Sequence, residues 1–238
     1  PVSKGSILEQ EVDVLWVTAK ATQLEAALQL VPDPSRAGIV VPLLNGVDHV
    51  ARLREEFAAA AVVPGTIAGE LERAAPGQIV HRSPFARFGF AAAGEPRLLG
   101  VSAILTRFGC SCSFEADELT LLWRKLVMLA PMALNTTAGE RAVGGLWADP
   151  QWAGRLEGAA REACAVARAL GARVDAEETV RTMRGFPAAL VSSMAKDVAA
   201  GRPPELDAIA GPILRGGAAH RIPVPVTTEL VAMVQKAR

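Results

Sequence analysis

The stretch VDVLWVTA, residues 12–19, decides the fold of the first half of this chain. It is short, apolar and rich in β-branched and aromatic side chains, and it ends at Lys20, so it reads as a buried strand. TQLEAALQL (22–30) follows with helical periodicity and stops at VPDP. AGIVVPLL (37–44) is a second strand ending at Asn45-Gly46, and VDHVARLREEF (47–57) is helical. AAVVPGTIAG (60–69) is a third strand, while QIVHRS (78–83) and RFGF (87–90) read as a short antiparallel pair. EPRLLGVSAILTRF (95–108) is helical and CSCSFEA (110–116) is a last strand. Strands alternating with helices predict a Rossmann-like parallel sheet with helices on both faces.

Beyond this point the pattern changes. Residues 117–134, 150–171, 186–201, 205–220 and 225–237 all carry helical periodicity, punctuated by Gly171, Gly201 and the Pro203-Pro204 pair. The expected architecture is α/β plus all-α: a partial dinucleotide-binding domain over residues 1–116 and a helical substrate and dimerisation domain over 117–238. No internal repeat or low-complexity tract interrupts it.

Composition limits the function. The 25 basic and 25 acidic side chains cancel, so no basic field points to nucleic acid or an anionic membrane. The longest apolar runs are too short to span a bilayer. Cys110, Cys112 and Cys164 do not make a disulfide framework, and His49, His81 and His220 are scattered, so no metal site is expected. A reduced, cytoplasmic protein is the default for such a chain.

Two ionisable residues stand on apolar helical stripes. On a wheel of about 100° per residue, Leu121, Leu122, Leu129 and Met132 fall within about 60° of Lys125. Ile209, Pro212 and Gly216 fall within about 40° of Glu205. A lysine can lay its stem along an apolar face and send the ammonium to water, and a glutamate can open a helix. Burial, however, moves a lysine pKa down and a carboxylate pKa up, toward values useful in proton transfer. The pair is expected to face one cleft between the two domains. Lys20 and Asn45 each end a predicted strand, and ligands of open parallel sheets collect at that carboxyl edge. Ser193 and Asp197 are i,i+4 neighbours beside the apolar stripe of Leu190, Met194 and Val198.

These residues together resemble the ketopantoate reductases (2-dehydropantoate 2-reductases). The resemblance is carried by DVLWVTAKATQLEAAL (13–28), LLNGV (43–47), LWRKL (122–126), SSMAKDVAAGRPPELDAIAGPILR (192–215) and HRIPVPVT (220–227), from about Val12 to the C-terminus. It implies NADPH-dependent reduction of 2-dehydropantoate to (R)-pantoate on the route to pantothenate and coenzyme A. It assigns Lys125 as proton donor to the ketone, with Glu205 beside it and near the substrate hydroxyl. Ser193, Asp197 and Asn45 become substrate-binding positions, and Lys20, Asn45 and Glu205 cofactor contacts. A homodimer through the helical domain is a further expectation.

Two departures from the family pattern stand out. Asparagines are expected four and eight residues after the lysine, where this chain has Leu129 and Ala133; Asn135 is two residues out of register. An apolar contact one turn from Lys125 points toward another 2-oxo acid as substrate. The sequence also contains no G-x-G-x-x-G turn, the element that cradles a pyrophosphate at a helix N-terminus. The expectation is a truncated cofactor domain lacking its first β-α-β unit. A chain that is non-catalytic as it stands is then the competing expectation.

Overall fold

The computed structural model describes residues 7–58, 61–75 and 77–236. The chain divides into two compact units: residues up to Leu44 together with His49–Leu122, and Asn45–Asp48 together with Trp123–Arg238.

The first unit is α/β. Strand β1 (Val12–Val17) leads through a turn into the short helix α1 (Leu24–Leu28), then β2 (Ala37–Pro42) and α2 (His49–Glu56). The run β3 (Gly65–Ala68), β4 (Leu71–Ala75), β5 (Gln78–His81) and β6 (Arg87–Ala91) precedes helix α3 (Glu95–Arg107) and strand β7 (Ser111–Glu115). β1 and β2 are parallel, in a register running from Val12 opposite Ala37 to Val17 opposite Pro42. A parallel bridge between Val40 and Val62 carries the segment entering β3 alongside β2. β3 is antiparallel to β6, and β6 is parallel to β7. The parallel α/β plan read from the sequence is therefore present, with one antiparallel step inside it.

That step corrects the expected pairing of QIVHRS with RFGF. β5 pairs instead with β4, and β6 lies between β3 and β7. β4 is LERAA, helix-favouring and with two charged residues of five, so local propensity hides it. The hairpin forms because Gly77 supplies a positive φ of 77° at the turn. β6 is drawn inward by its aromatic residues. Phe90 is fully buried, its ring 6.1 Å from Trp16 and 5.8 Å from Phe114. Ile39, Val41, Val63 and Leu98 complete this core.

In the second unit every regular element among the described residues is helical. α4 (Glu118–Ala138) enters it at Trp123 and is followed by α5 (Val143–Ala148), α6 (Pro150–Ala169), α7 (Ala176–Arg184), α8 (Ser193–Ala199), α9 (Leu206–His220) and α10 (Pro225–Lys236). α6 buries a small-residue face, Ala159, Ala160, Ala163 and Ala167, which permits close helix approach. α9 comes near enough that a Cβ on Gly216 would lie 2.5 Å from a Val166 methyl. Leu146 of α5, Leu156 of α6, and Val180 and Met183 of α7 form a second core.

The helix expected over residues 186–201 is shorter than its periodicity. Ser192 caps α8 by accepting a bond from Ala195 N–H, and the preceding residues turn instead of coiling. Their carbonyls serve another helix start: Leu190 O accepts from Val143 N–H and Ala188 O from Gly144 N–H, at the first turn of α5.

Candidate active site

Lys125 lies on α4. Between Trp123 and Thr137 that helix is buried except for exposed Arg124 and four partly exposed residues: Lys125, Met128, Leu129 and Met132. Desolvation pulls the Lys125 ammonium down from 10.5 to about 8, against the charge of Glu205, which pushes it back up. Opposing effects of this kind hold a lysine protonated at neutral pH yet ready to release its proton.

Glu205 is buried at the residue before α9, but its side chain does not cap that helix. The carboxylate is turned elsewhere. Asn45 Nδ2 donates to Glu205 Oε2 at 3.3 Å. The helix-opening role that sequence alone allows for Glu205 is thus filled by its backbone, whose carbonyl accepts from Ile209 N–H.

Asn45 reaches Glu205 because its loop is lodged on the first turn of α9. Gly46 has φ +86°, and a Cβ there would lie 2.3 Å from Ala208 O. No side chain fits that approach. Two residues on, Asp48 pairs with Arg215 of α9 at 2.5 Å, and Arg215 also holds Asp207 at 2.7 Å. These exposed pairs fix the loop's direction more than they add stability. The structure thus brings Lys125, Glu205 and Asn45 into one unit.

α8 contributes its N-terminus. Ser193 is its first residue and is exposed. Ser192 is buried and accepts a bond from Thr136 Oγ1 at 2.8 Å. Thr136 lies on the Lys125 face of α4, within about 20° on the helical wheel. Asp197 is buried and accepts from Arg202 Nε at 2.8 Å. Lys20 is half-buried and belongs to the first unit. β1 ends at Val17 and β2 at Pro42, so Lys20 and Asn45 each follow a parallel strand by three residues.

Three site-shaping features are absent from the sequence reading: the close approach of Gly46 to Ala208, the Asp48–Arg215 tie and the Thr136–Ser192 bond. Ser192 carried a signal, since a serine three residues before a helical N–H is a standard capping pattern. The other two depend on residues far apart in the chain. Among the described residues no group of three His, Cys, Asp or Glu could hold a metal ion, and no helix is long and apolar enough to cross a membrane. An apolar hollow of about 190 Å³ beside β1 is lined by Leu15–Ala19, Ala27, Leu28, Val31 and Phe57, with no ionisable side chain among them.

Comparison with known proteins identifies the family. The 2-dehydropantoate 2-reductase of Caulobacter vibrioides is 32% identical over 95% of this chain and 78% of its own length. Among solved structures, a PanE/ApbA family ketopantoate reductase from Ralstonia eutropha JMP134 superposes with a TM-score of 0.84 at 24% identity, over 96% of this chain and 76% of that one. A D-mandelate dehydrogenase bound to NADH and anilino(oxo)acetate shares the fold with a TM-score of 0.86 at 20% identity, over 98% of this chain and 78% of that one. The family profile "Ketopantoate reductase PanE/ApbA" matches residues 2–93 and its C-terminal counterpart matches residues 118–238. With both parts matched and a relative above 30% identity, the chain belongs to the ketopantoate reductase family of oxidoreductases.

Proposed function

We propose that this chain serves the NADPH-dependent reduction of a 2-oxo acid to its 2-hydroxy acid, with 2-dehydropantoate, reduced to (R)-pantoate, as the substrate suggested by its family. The observation that carries the proposal is Lys125 on the partly exposed strip of α4 acting with buried Glu205, which Asn45 holds; burial draws the ammonium down to about 8. NADPH, when bound, supplies the hydride that reaches the carbonyl carbon. Lys125 hydrogen-bonds the ketone oxygen and gives up the matching proton, so that one hydride and one proton convert C=O to CH–OH. A donor near 8 is protonated at neutral pH and is a competent base for the reverse direction. Glu205 keeps the ammonium charged until the transfer, and Asn45 holds the Glu205 carboxylate through its amide. Ser193 offers its hydroxyl to the substrate carboxylate. Asp197 anchors Arg202 and enters the substrate side through it.

The residues fit the nicotinamide end of such a cofactor. Lys20 and Asn45 follow parallel strands at their carboxyl ends, where open α/β sheets bind ligands. The pyrophosphate end is less well supplied, because the sequence holds no G-x-G-x-x-G turn. A second substrate reading, another 2-oxo acid, is favoured by Leu129, which sits one turn from Lys125. A homodimer through the helical unit and a cytoplasmic location belong to the same proposal. Sedimentation would test the first.

The test is steady-state kinetics with NADPH. Lys125→Ala should lower kcat by about 10²- to 10⁴-fold with little change in KM, since a proton donor acts in the transition state. Ser193→Ala should act mainly on KM. Equal effects of the two substitutions on both constants would refute the separate roles. A folded chain without turnover would support the non-catalytic alternative.

A further inference from the structure

We propose that the site selects 2-oxo acids with a wholly hydrocarbon side chain, branched or aryl, over those carrying a hydroxyl near the keto group. The inference rests on Lys125 being the proton donor, as argued above, and it names the substrate class of that same site.

The partly exposed strip of α4 is the basis. Around Lys125 it offers Leu129 and Met132, within about 40° of the lysine on the helical wheel, while Met128 packs against the core of Leu146, Leu156, Val180 and Met183. From Lys125 to Met132 the strip is about 10 Å long, the length of a small 2-oxo acid with its side chain. A substrate whose ketone oxygen meets the Lys125 ammonium can lay its remaining atoms along it. The i+4 neighbour of Lys125 on this strip is Leu129. Leu129 has no donor or acceptor, and Met132 offers only a weak thioether acceptor.

A hydroxyl set against this strip gives up its water without a replacement partner. A methyl or phenyl group in the same place buries apolar surface instead. The Met132 side chain adapts to either a branched or a flat group, so the strip suits a range of hydrocarbon shapes. Apart from Lys125 itself and Thr136, whose hydroxyl is bonded to Met132 O and Ser192 Oγ, the polar groups of the site lie on other elements: Glu205 before α9, Ser193 on α8 and Asn45 on its loop, where the Asn45 amide already donates to the carboxylate. None of these three is on the strip.

A matched pair of acids isolates the effect. 3,3-Dimethyl-2-oxobutanoate is 2-dehydropantoate with the hydroxyl replaced by hydrogen. Both are titrated calorimetrically into the full chain with NADPH present, and kcat/KM is measured where turnover occurs. The deoxy acid should be favoured by about tenfold or more. Leu129→Asn should close or reverse the gap, and Leu129→Met should preserve it, which separates a lost preference from a damaged fold. Equal binding, or tighter binding of 2-dehydropantoate by the unaltered chain, overturns the inference and leaves the 2-oxo acid reading standing. Binding of neither acid by chain with native circular dichroism overturns that reading and the inference with it.

Discussion

The lowered pKa of Lys125 can be measured without any catalytic assay. The chain has five lysines, so selective ¹³Cε labelling gives a spectrum in which each side chain is followed separately, and Lys125→Met identifies its resonance by loss. Burial opposes the charged form and Glu205 supports it, with burial the larger influence, so the Lys125 midpoint should fall at about 8, not 10.5. Such a group is roughly nine-tenths protonated at pH about 7 and about one-tenth at pH about 9. Reduction should therefore lose rate across that interval while oxidation of the hydroxy acid gains. Glu205→Gln removes the supporting charge and should move the midpoint further down. Stability follows with a definite sign. The folded value lies below the unfolded one, so between about 8 and 10.5 the unfolded chain holds a proton that the folded chain has released. Folding stability should rise with pH through that window, and below it the folded protein carries the full cost of a desolvated ammonium. The difference corresponds to about 3 kcal/mol at most, less because Lys125 keeps some exposure. Urea denaturation at a series of pH values, compared with Lys125→Met, measures it. A Lys125 resonance titrating near 10.5, with no pH-dependent difference between the two proteins, would refute the reasoning.

Further outcomes follow from other parts of the structure. Gly46→Ala should cost about 2 kcal/mol or more, because a Cβ at φ +86° would press on Ala208 O; chemical denaturation checks it, and a change within about 0.5 kcal/mol would mean the loop relaxes freely. Glu162→Ala should destabilise by about 1–3 kcal/mol, since the Glu162 carboxylate receives Val226 N–H, Thr227 N–H and the Thr227 hydroxyl at the start of α10; a thermal melt reads the loss. NADPH should bind residues 1–238 weakly, for want of a Gly-rich phosphate turn, and saturable fluorescence quenching at micromolar NADPH would reveal a phosphate site of another kind.

Much of the architecture was legible because strong local signals agreed with the tertiary outcome. VDVLWV and AGIVVP are β-branched runs and became parallel neighbours. Lys125 and Glu205 stood out as charges on apolar stripes; Lys125 lies on the partly exposed strip of α4, whereas Glu205 is buried at the residue before α9, outside the helix itself. Failures came where neighbours far along the chain decided the matter. LERAA became a strand by pairing with QIVH, against its own propensity. Residues 187–190 left their helical pattern to cap α5, two of their carbonyls finding N–H groups more than forty positions earlier. α5 escaped notice because two glycines weaken VGGLWA as a helix, and α7 because AEETVRTMR is short and mostly polar. Asn45 was legible as a strand-end residue, yet its hydrogen bond to Glu205 spans 160 residues and depends on Gly46 having no side chain.

The lodging of Asn45–Asp48 on α9 bears on how this protein can be taken apart. The chain does not separate into two modules at a single cut, because four residues numbered among the sheet belong to the helical fabric. A fragment of residues 123–238 would retain Lys125 and Glu205 but lose the amide that steadies the carboxylate. A chimera that borrowed a helical half from a relative would need a matching loop as well, down to a residue without a Cβ opposite Ala208 and an acid opposite Arg215. The loop and the first turn of α9 therefore form one heritable piece of the site, written in two distant places in the sequence.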